Sequence, residues 1–204
     1  MSARPRAVIF DVDGTLVASN LLHAQAWQKA FALYGKDISL EAILGQIGKG
    51  GDQLMPEFLS PHELDRFGQE LEKRRAALFK RDYLPQVKTL PQVRQLFERI
   101  KGDGLRIALA SSAQQDEIAH HIDALGIKDL VEFATSADDV SRSKPCPDVF
   151  NAALDRLASV SNDEAIVVGD TPYDAQAAGK AGLRTIGVLS GGFPQQTLRD
   201  AGTI

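Results

Sequence analysis

The sequence predicts an α/β protein: a doubly wound, parallel, Rossmann-like sheet with an inserted helical cap. Three observations predict it. Five short apolar runs lack polar alternation, as strands covered on both faces do. Helical patterns with readable ends separate the later runs, which implies parallel pairing and right-handed crossovers. Residues 17–86 interrupt that rhythm with helical periodicity and no β-run.

The first run, Ala7-Val8-Ile9-Phe10, stops at Asp11-Val12-Asp13-Gly14-Thr15-Leu16, two carboxylates followed at once by a glycine turn. Acids placed there sit at the carboxyl edge of the sheet, where open α/β folds keep their ligand crevices. The second run, residues 105–110, leads into Ser111-Ser112, and the third, 130–134, into Thr135-Ser136. The fourth, 165–169, leads into Asp170, and the fifth, 184–188, into Leu189-Ser190-Gly191-Gly192. Between them, Pro91 fits a first helical position, Val93, Leu96, Phe97 and Ile100 form an apolar stripe, and Gly102 and Gly104 close it. Ile118, Ile122 and Leu125 repeat at helical spacing with Gly126 as the stop, and Thr171-Pro172 start a helix running toward Gly182.

In the insertion, His23, Trp27 and Phe31 share one helical face, with Trp27 and Phe31 read as core packing. Leu64, Phe67, Leu71 and Leu78 mark a long later helix, with Arg74 and Arg75 on its solvated face. The expected division is a core of residues 1–16 and 87–204 and a cap of residues 17–86 over the carboxyl edge of the sheet.

Composition narrows the function. The chain has 204 residues, 44% of them hydrophobic and 25% charged, with a net charge of −4. That acidic balance argues against nucleic acid or an anionic membrane as the main partner. No apolar run reaches the roughly 18 residues of a membrane span, and the N-terminus lacks a secretory core. The single cysteine, Cys146, suits a reducing compartment. The expectation is a cytoplasmic protein, monomeric or weakly dimeric, acting on a small molecule.

The polar residues that follow the strands converge. Asp11, Asp13 and Asp170, with Asp174 nearby, crowd negative charge into one crevice, a conflict that a hard divalent cation such as Mg²⁺ removes. Lys144 and Ser111 then suit the remaining oxygens of a phosphoryl group. Ser112 is the alternative to Ser111, and the helix start expected at this pair favours an anion. His23 and Lys49, the latter in the Gly48-Lys49-Gly50-Gly51 loop, are candidate substrate contacts from the cap.

Asp11-Val-Asp13-Gly14-Thr15-Leu16, Ser111, Lys144-Pro145 and Gly169-Asp170-Thr171-Pro172-Tyr173-Asp174 resemble, in order, the four motifs of the haloacid dehalogenase superfamily. The insertion resembles the helical cap of the subgroup holding phosphoglycolate phosphatase and β-phosphoglucomutase. The resemblance implies a phosphatase of small phosphorylated metabolites. Asp11 would attack phosphorus to give an aspartyl-phosphate, and Asp13 would act as general acid and base. Mg²⁺ would be held by Asp11, the Asp13 backbone carbonyl and Asp170, with Asp174 in support. The acid at position 13 separates the chain from the dehalogenase branch. An acid common in the subgroup is replaced by Ala18. Gly169 stands where β-phosphoglucomutase has a glutamate, and the cap loop lacks that enzyme's phosphate-gripping arginine, which disfavours a mutase-like phosphotransferase. A two-component receiver uses similar residues but has no large insertion after its first strand.

Overall fold

The computed structural model describes residues 4–204. Alternate residues of strand β1 (Ala7–Phe10) are buried on opposite sides of the sheet. Ala7 and Ile9 join one apolar cluster, Val8 and Phe10 another. Both faces are covered, which explains the unbroken apolar run.

Four more strands complete the main sheet: β4 (Arg106–Ala110), β5 (Phe133–Thr135), β6 (Ala165–Gly169) and β7 (Arg184–Gly187). The strand order is β5-β4-β1-β6-β7, with every pairing parallel. The chain starts at the centre, fills one side and then returns to fill the other. The turning point lies beside β1, so the loops after β1, β4 and β6 meet where such sheets bind ligands.

Helices α6 (Val93–Gly102) and α7 (Gln115–Leu125) cover one face, with Val93, Phe97 and Ile118 buried against Val8, Phe10, Ile107 and Leu109. Helices α8 (Asp148–Leu157) and α9 (Pro172–Lys180) cover the other through Val149, Phe150, Ala153, Ala177 and Ala178. A last helix, α10 (Gln195–Asp200), packs Leu198 inward beside β7. Gly126 ends α7 in the left-handed conformation at φ 64°, as a C-terminal glycine permits.

The inserted segment holds α1 (Asn20–Ala32), α2 (Leu40–Leu44), α3 (Gly51–Leu54), α4 (Pro61–Glu63) and α5 (Gln69–Leu78). It has its own apolar cluster around Trp27, Phe31, Ile43, Leu54 and Leu71. No helix among the described residues is long and apolar enough to cross a membrane.

Four sequence expectations need correction. A two-stranded antiparallel pair, β2 (Val17–Ala18) and β3 (Lys88–Thr89), joins the two passages between sheet and insertion. Each strand is too short to show a period. The long helix is interrupted by π-helical turns at Leu64–Gly68 and Phe79–Tyr83. Leu96 is 48% exposed, so the stripe on α6 is narrower than its apolar residues suggest. Helix α7 begins at Gln115, three residues beyond Ser112, so neither serine is its cap.

Candidate active site

The turn after β1 builds the centre of the site. Gly14 adopts φ +83°, a conformation open to glycine, and its N–H donates to the Val17 carbonyl at 2.8 Å. A Cβ at Gly14 would fall 2.2 Å from Asp170 Oδ2, and one at Gly191 would fall 1.7 Å from the same atom. The Asp170 carboxyl is thus cradled by two backbones that admit no side chain. Thr15 Oγ1 donates to Asp170 Oδ1 at 2.8 Å and Asn20 Nδ2 to Oδ2 at 2.8 Å.

Asp11, Asp170 and Asp174 offer ligand oxygens within 4.8 Å of one another, all buried. Asp174 divides its oxygens. Oδ2 caps α9 by accepting from the Thr171 hydroxyl (2.6 Å) and N–H (3.1 Å), while Oδ1 lies 2.8 Å from Lys144 Nζ. The cap role and the cluster role therefore coexist. A Cβ at Gly169 would meet the Asp174 Cβ at 2.6 Å, which accounts for glycine there.

Lys144 is 1% exposed and reaches Asp11 Oδ1 (2.6 Å), Asp174 Oδ1 (2.8 Å) and the Ala110 carbonyl (2.9 Å). Its ammonium is thereby held beside Asp11, Asp174 and the end of β4. The two carboxylates hold its ammonium charged well above the ordinary lysine range, against the opposite pull of burial.

Burial pushes the Asp11 carboxyl up to about 7; Lys144 opposes this, while Asp174 and Asp13 add to it. Asp170 is raised well above the ordinary range by burial first, then by Asp11 and Asp174. Three carboxylates face one ammonium, so full ionisation leaves two uncompensated negative charges in a buried site. The donor set is all oxygen, as a hard divalent cation prefers, and such a cation would cancel the excess. The residues fit a divalent metal.

The Asp13 side chain turns away from that cluster. Its Oδ1 accepts from Ser19 Oγ at 2.6 Å and lies 3.0 Å from His23 Nε2 and 3.8 Å from His121 Nε2. Burial favours its neutral form, but His23, His121 and Ser19 together hold it ionised, well below the carboxylate range. His23 is fixed by stacking on Phe79, with ring centroids 3.8 Å apart. Ser111 Oγ reaches Asp13 Oδ2 at 3.4 Å and accepts the Ala113 N–H at 3.0 Å. Ser112 donates to the Gly48 carbonyl of the insertion at 3.3 Å.

Asp11, Asp13, Ser111 and Ser112 line one side of a cavity of about 50 Å³; His23, Trp27, Lys49 and Arg75 close it from the insertion. That is room for only a few waters. Lys49, the candidate substrate contact, does line the cavity, and its ammonium is held there by Gln46 (2.6 Å) and Glu57 (2.7 Å). Arg74 pairs with Glu70 on the surface as expected, but Arg75 is only 9% exposed and faces the cavity.

The sequence does not point to Ser19, Asn20, Glu117 or His121, and it places Arg75 on a solvated face. One signal is available: Glu117 and His121 fall four apart on the face of α7 that carries Ile118 and Ile122, an unusual place for two titratable side chains. Ser19 reads as a helix cap, yet it makes no capping bond, because its hydroxyl is committed to Asp13.

Gly191→Ala is expected to displace Asp170 and weaken divalent-metal binding about 10- to 100-fold, as changes around metal ligands commonly do. Titration of the metal against thermal stability checks this without an activity assay.

Residues 8–188 match the family model for haloacid dehalogenase-like hydrolases. The chain is 27% identical over 199 residues to the phosphorylated carbohydrates phosphatase of Thermotoga maritima, covering 97% of this chain and 92% of that protein. It is 27% identical over 208 residues to the phosphoglycolate phosphatase of Rhodospirillum rubrum, covering 98% and 86%. A solved hydrolase from Pseudomonas syringae superposes with a TM-score of 0.88 at 27% identity, covering 98% of this chain and 91% of that one. The chain belongs to the haloacid dehalogenase-like hydrolase family.

Proposed function

We propose that the chain is a Mg²⁺-dependent phosphatase that cleaves the monoester of a small metabolite through an aspartyl-phosphate on Asp11. The observation that carries this reading is the division of labour between two acids in one cavity. Asp11 is held by Lys144 beside the acidic cluster, while Asp13 is turned toward His23 and Ser111. The Thermotoga and Rhodospirillum relatives are named as phosphatases, which supports the reaction class.

An oxygen of Asp11 attacks phosphorus and the ester P–O bond breaks. The departing alkoxide takes a proton from the Asp13 side. His23, whose Nε2 lies 3.0 Å from Asp13 Oδ1, positions that carboxyl for the transfer. Asp13 then removes a proton from water, which attacks the phosphoryl group, releases phosphate and restores Asp11. Asp11, Asp170, Asp174 and the Asp13 backbone would hold Mg²⁺, which supplies charge stabilisation for the phosphoryl oxygens. Ser111, with Ser112 beside it, would orient the phosphate, and Lys144 would keep the Asp11 carboxylate in place.

Residues 17–86 would act as the cap on a core of residues 1–16 and 87–204. The insertion is fastened over the site by the Gly50 N–H to Ser143 Oγ (2.8 Å) and by Lys80 to Asp116 (2.7 Å). Any substrate larger than a few atoms must lift it, and closure afterwards excludes water.

The test is phosphate release from p-nitrophenyl phosphate with and without Mg²⁺. Turnover that depends on the metal supports the reading; no release from it or from any phosphorylated metabolite overturns it. Mg²⁺ should also stabilise the fold. The raised Asp11 and Asp170 values stand above those of the unfolded chain, so without metal, stability falls as pH rises from about 4 toward 7. Mg²⁺ takes the place of the lost protons, so its effect is larger at about pH 8 than at about pH 5.5. At about 100 times Kd it should add roughly 2.7 kcal/mol, about 5–10 °C for a chain of this size. Differential scanning fluorimetry at the two pH values checks the sign.

A further inference from the structure

Arg75, on α5, and Glu117, on α7, approach the same cavity from opposite sides. Arg75 is 9% exposed and Glu117 is 1% exposed. Arg75 Nε and Glu117 Oε1 are fully enclosed and have no hydrogen-bond partner among the described residues, and no ion pair within 4.0 Å joins the two side chains. Buried charges are ordinarily paired, because an unpaired one forfeits its hydration without return. Two such charges of opposite sign, facing the space that holds Asp11 and Asp13, are groups left for a ligand. Trp27 lies under the guanidinium, with Arg75 Cζ 5.0 Å from a Trp27 ring centroid, and holds it at the cavity wall.

We propose that Arg75 and Glu117 form a leaving-group subsite that selects phosphate esters of polyols and sugars. The proposal rests on the phosphatase reading above and names its substrate class. A hydroxyl both donates and accepts, so neighbouring hydroxyls can donate to Glu117 and accept from Arg75 in one pose. A carboxylate tail satisfies Arg75 but is repelled by Glu117. An apolar tail leaves Arg75 Nε and Glu117 Oε1 without a hydrogen-bond partner, the situation in which polar pockets discriminate most strongly. Burial raises the Glu117 carboxyl above its ordinary range, partly offset by Arg75, which makes a hydroxyl a still better partner than a cation.

The experiment compares kcat/KM for glycerol phosphate and sorbitol phosphate with that for phosphoglycolate, L-phosphoserine and p-nitrophenyl phosphate. The wild-type protein, Glu117→Ala, Glu117→Gln and Arg75→Gln are each measured with Mg²⁺. The wild type should favour a polyol phosphate over phosphoglycolate by at least about tenfold. Glu117→Ala and Arg75→Gln should each lower the ratio of polyol phosphate to p-nitrophenyl phosphate turnover by about tenfold or more. Glu117→Gln, which keeps an acceptor, should lower it less. Preference for phosphoglycolate or phosphoserine, or ratios within about twofold of wild type in both variants, would overturn the subsite. If no ester is hydrolysed, the phosphatase reading fails separately. The subsite is then judged by thermal shift: sorbitol phosphate should stabilise the wild type more than phosphoglycolate does, and Glu117→Ala should erase that difference; equal shifts overturn it.

Discussion

Asp11→Asn is expected to lower phosphate-ester turnover by on the order of 10⁴-fold or more, the scale seen when a covalent nucleophile is removed. The amide matches the carboxylate in shape but cannot form the acyl-phosphate. The fold should survive. Asp11 is buried and its carboxyl sits near 7 because ionising it there is unfavourable. A neutral amide removes that burden while still accepting from Lys144 Nζ. Circular dichroism and thermal melting should therefore match the wild type within a few degrees while steady-state phosphate release disappears. A folded variant keeping more than about a hundredth of the rate would remove Asp11 from the nucleophile role.

Lys144→Met should have the largest effect on stability, a loss of about 3–5 kcal/mol, because it strands buried acids without their counter-charge. The ammonium is the cation touching both Asp11 and Asp174, and methionine fills a comparable volume without it. The sign of the pH dependence follows. Removing the ammonium raises the carboxyl values still further above those of the unfolded chain. The penalty is present where the acids must ionise and fades as pH falls through the raised values and they protonate. The deficit should be greatest above about pH 7 and smaller near about pH 5, with Mg²⁺ restoring part of it. Urea unfolding at the two pH values tests this. A loss below about 1 kcal/mol at neutral pH would mean that the lysine balances no buried charge.

The sheet and the four strand-end motifs were legible because their signals are local. An apolar run stopping at Asp11 and Asp13 announces a buried parallel strand and its functional edge together, and Gly126 and Thr171 mark helix ends by their own chemistry. What escaped depends on which way a side chain turns once elements pack. Arg74 and Arg75 are neighbours in sequence, yet one pairs with Glu70 at the surface and the other lies against Trp27. Lys49 stands in a glycine-rich loop suited to anions, but Glu57, eight residues on, captures its ammonium. Ser19 and Asn20 pass for helix-start residues, while their side chains reach Asp13 and Asp170. These assignments depend on long-range contacts that no spacing rule contains.

The pairing of β2 with β3 has an evolutionary consequence. Val17 and Thr89 are partners across one antiparallel ladder, so the chain departs from the sheet and rejoins it about one strand spacing, roughly 4.8 Å, apart. A tight hairpin turn bridges that distance. The sheet therefore imposes almost no requirement on the length or architecture of what is inserted. The segment supplying His23 and Arg75 can be exchanged for another while Asp11, Lys144 and Asp170 stay where they are. Asp11, Lys144 and Asp170 stand on one piece of chain and His23 and Arg75 on another, joined at a single doorway.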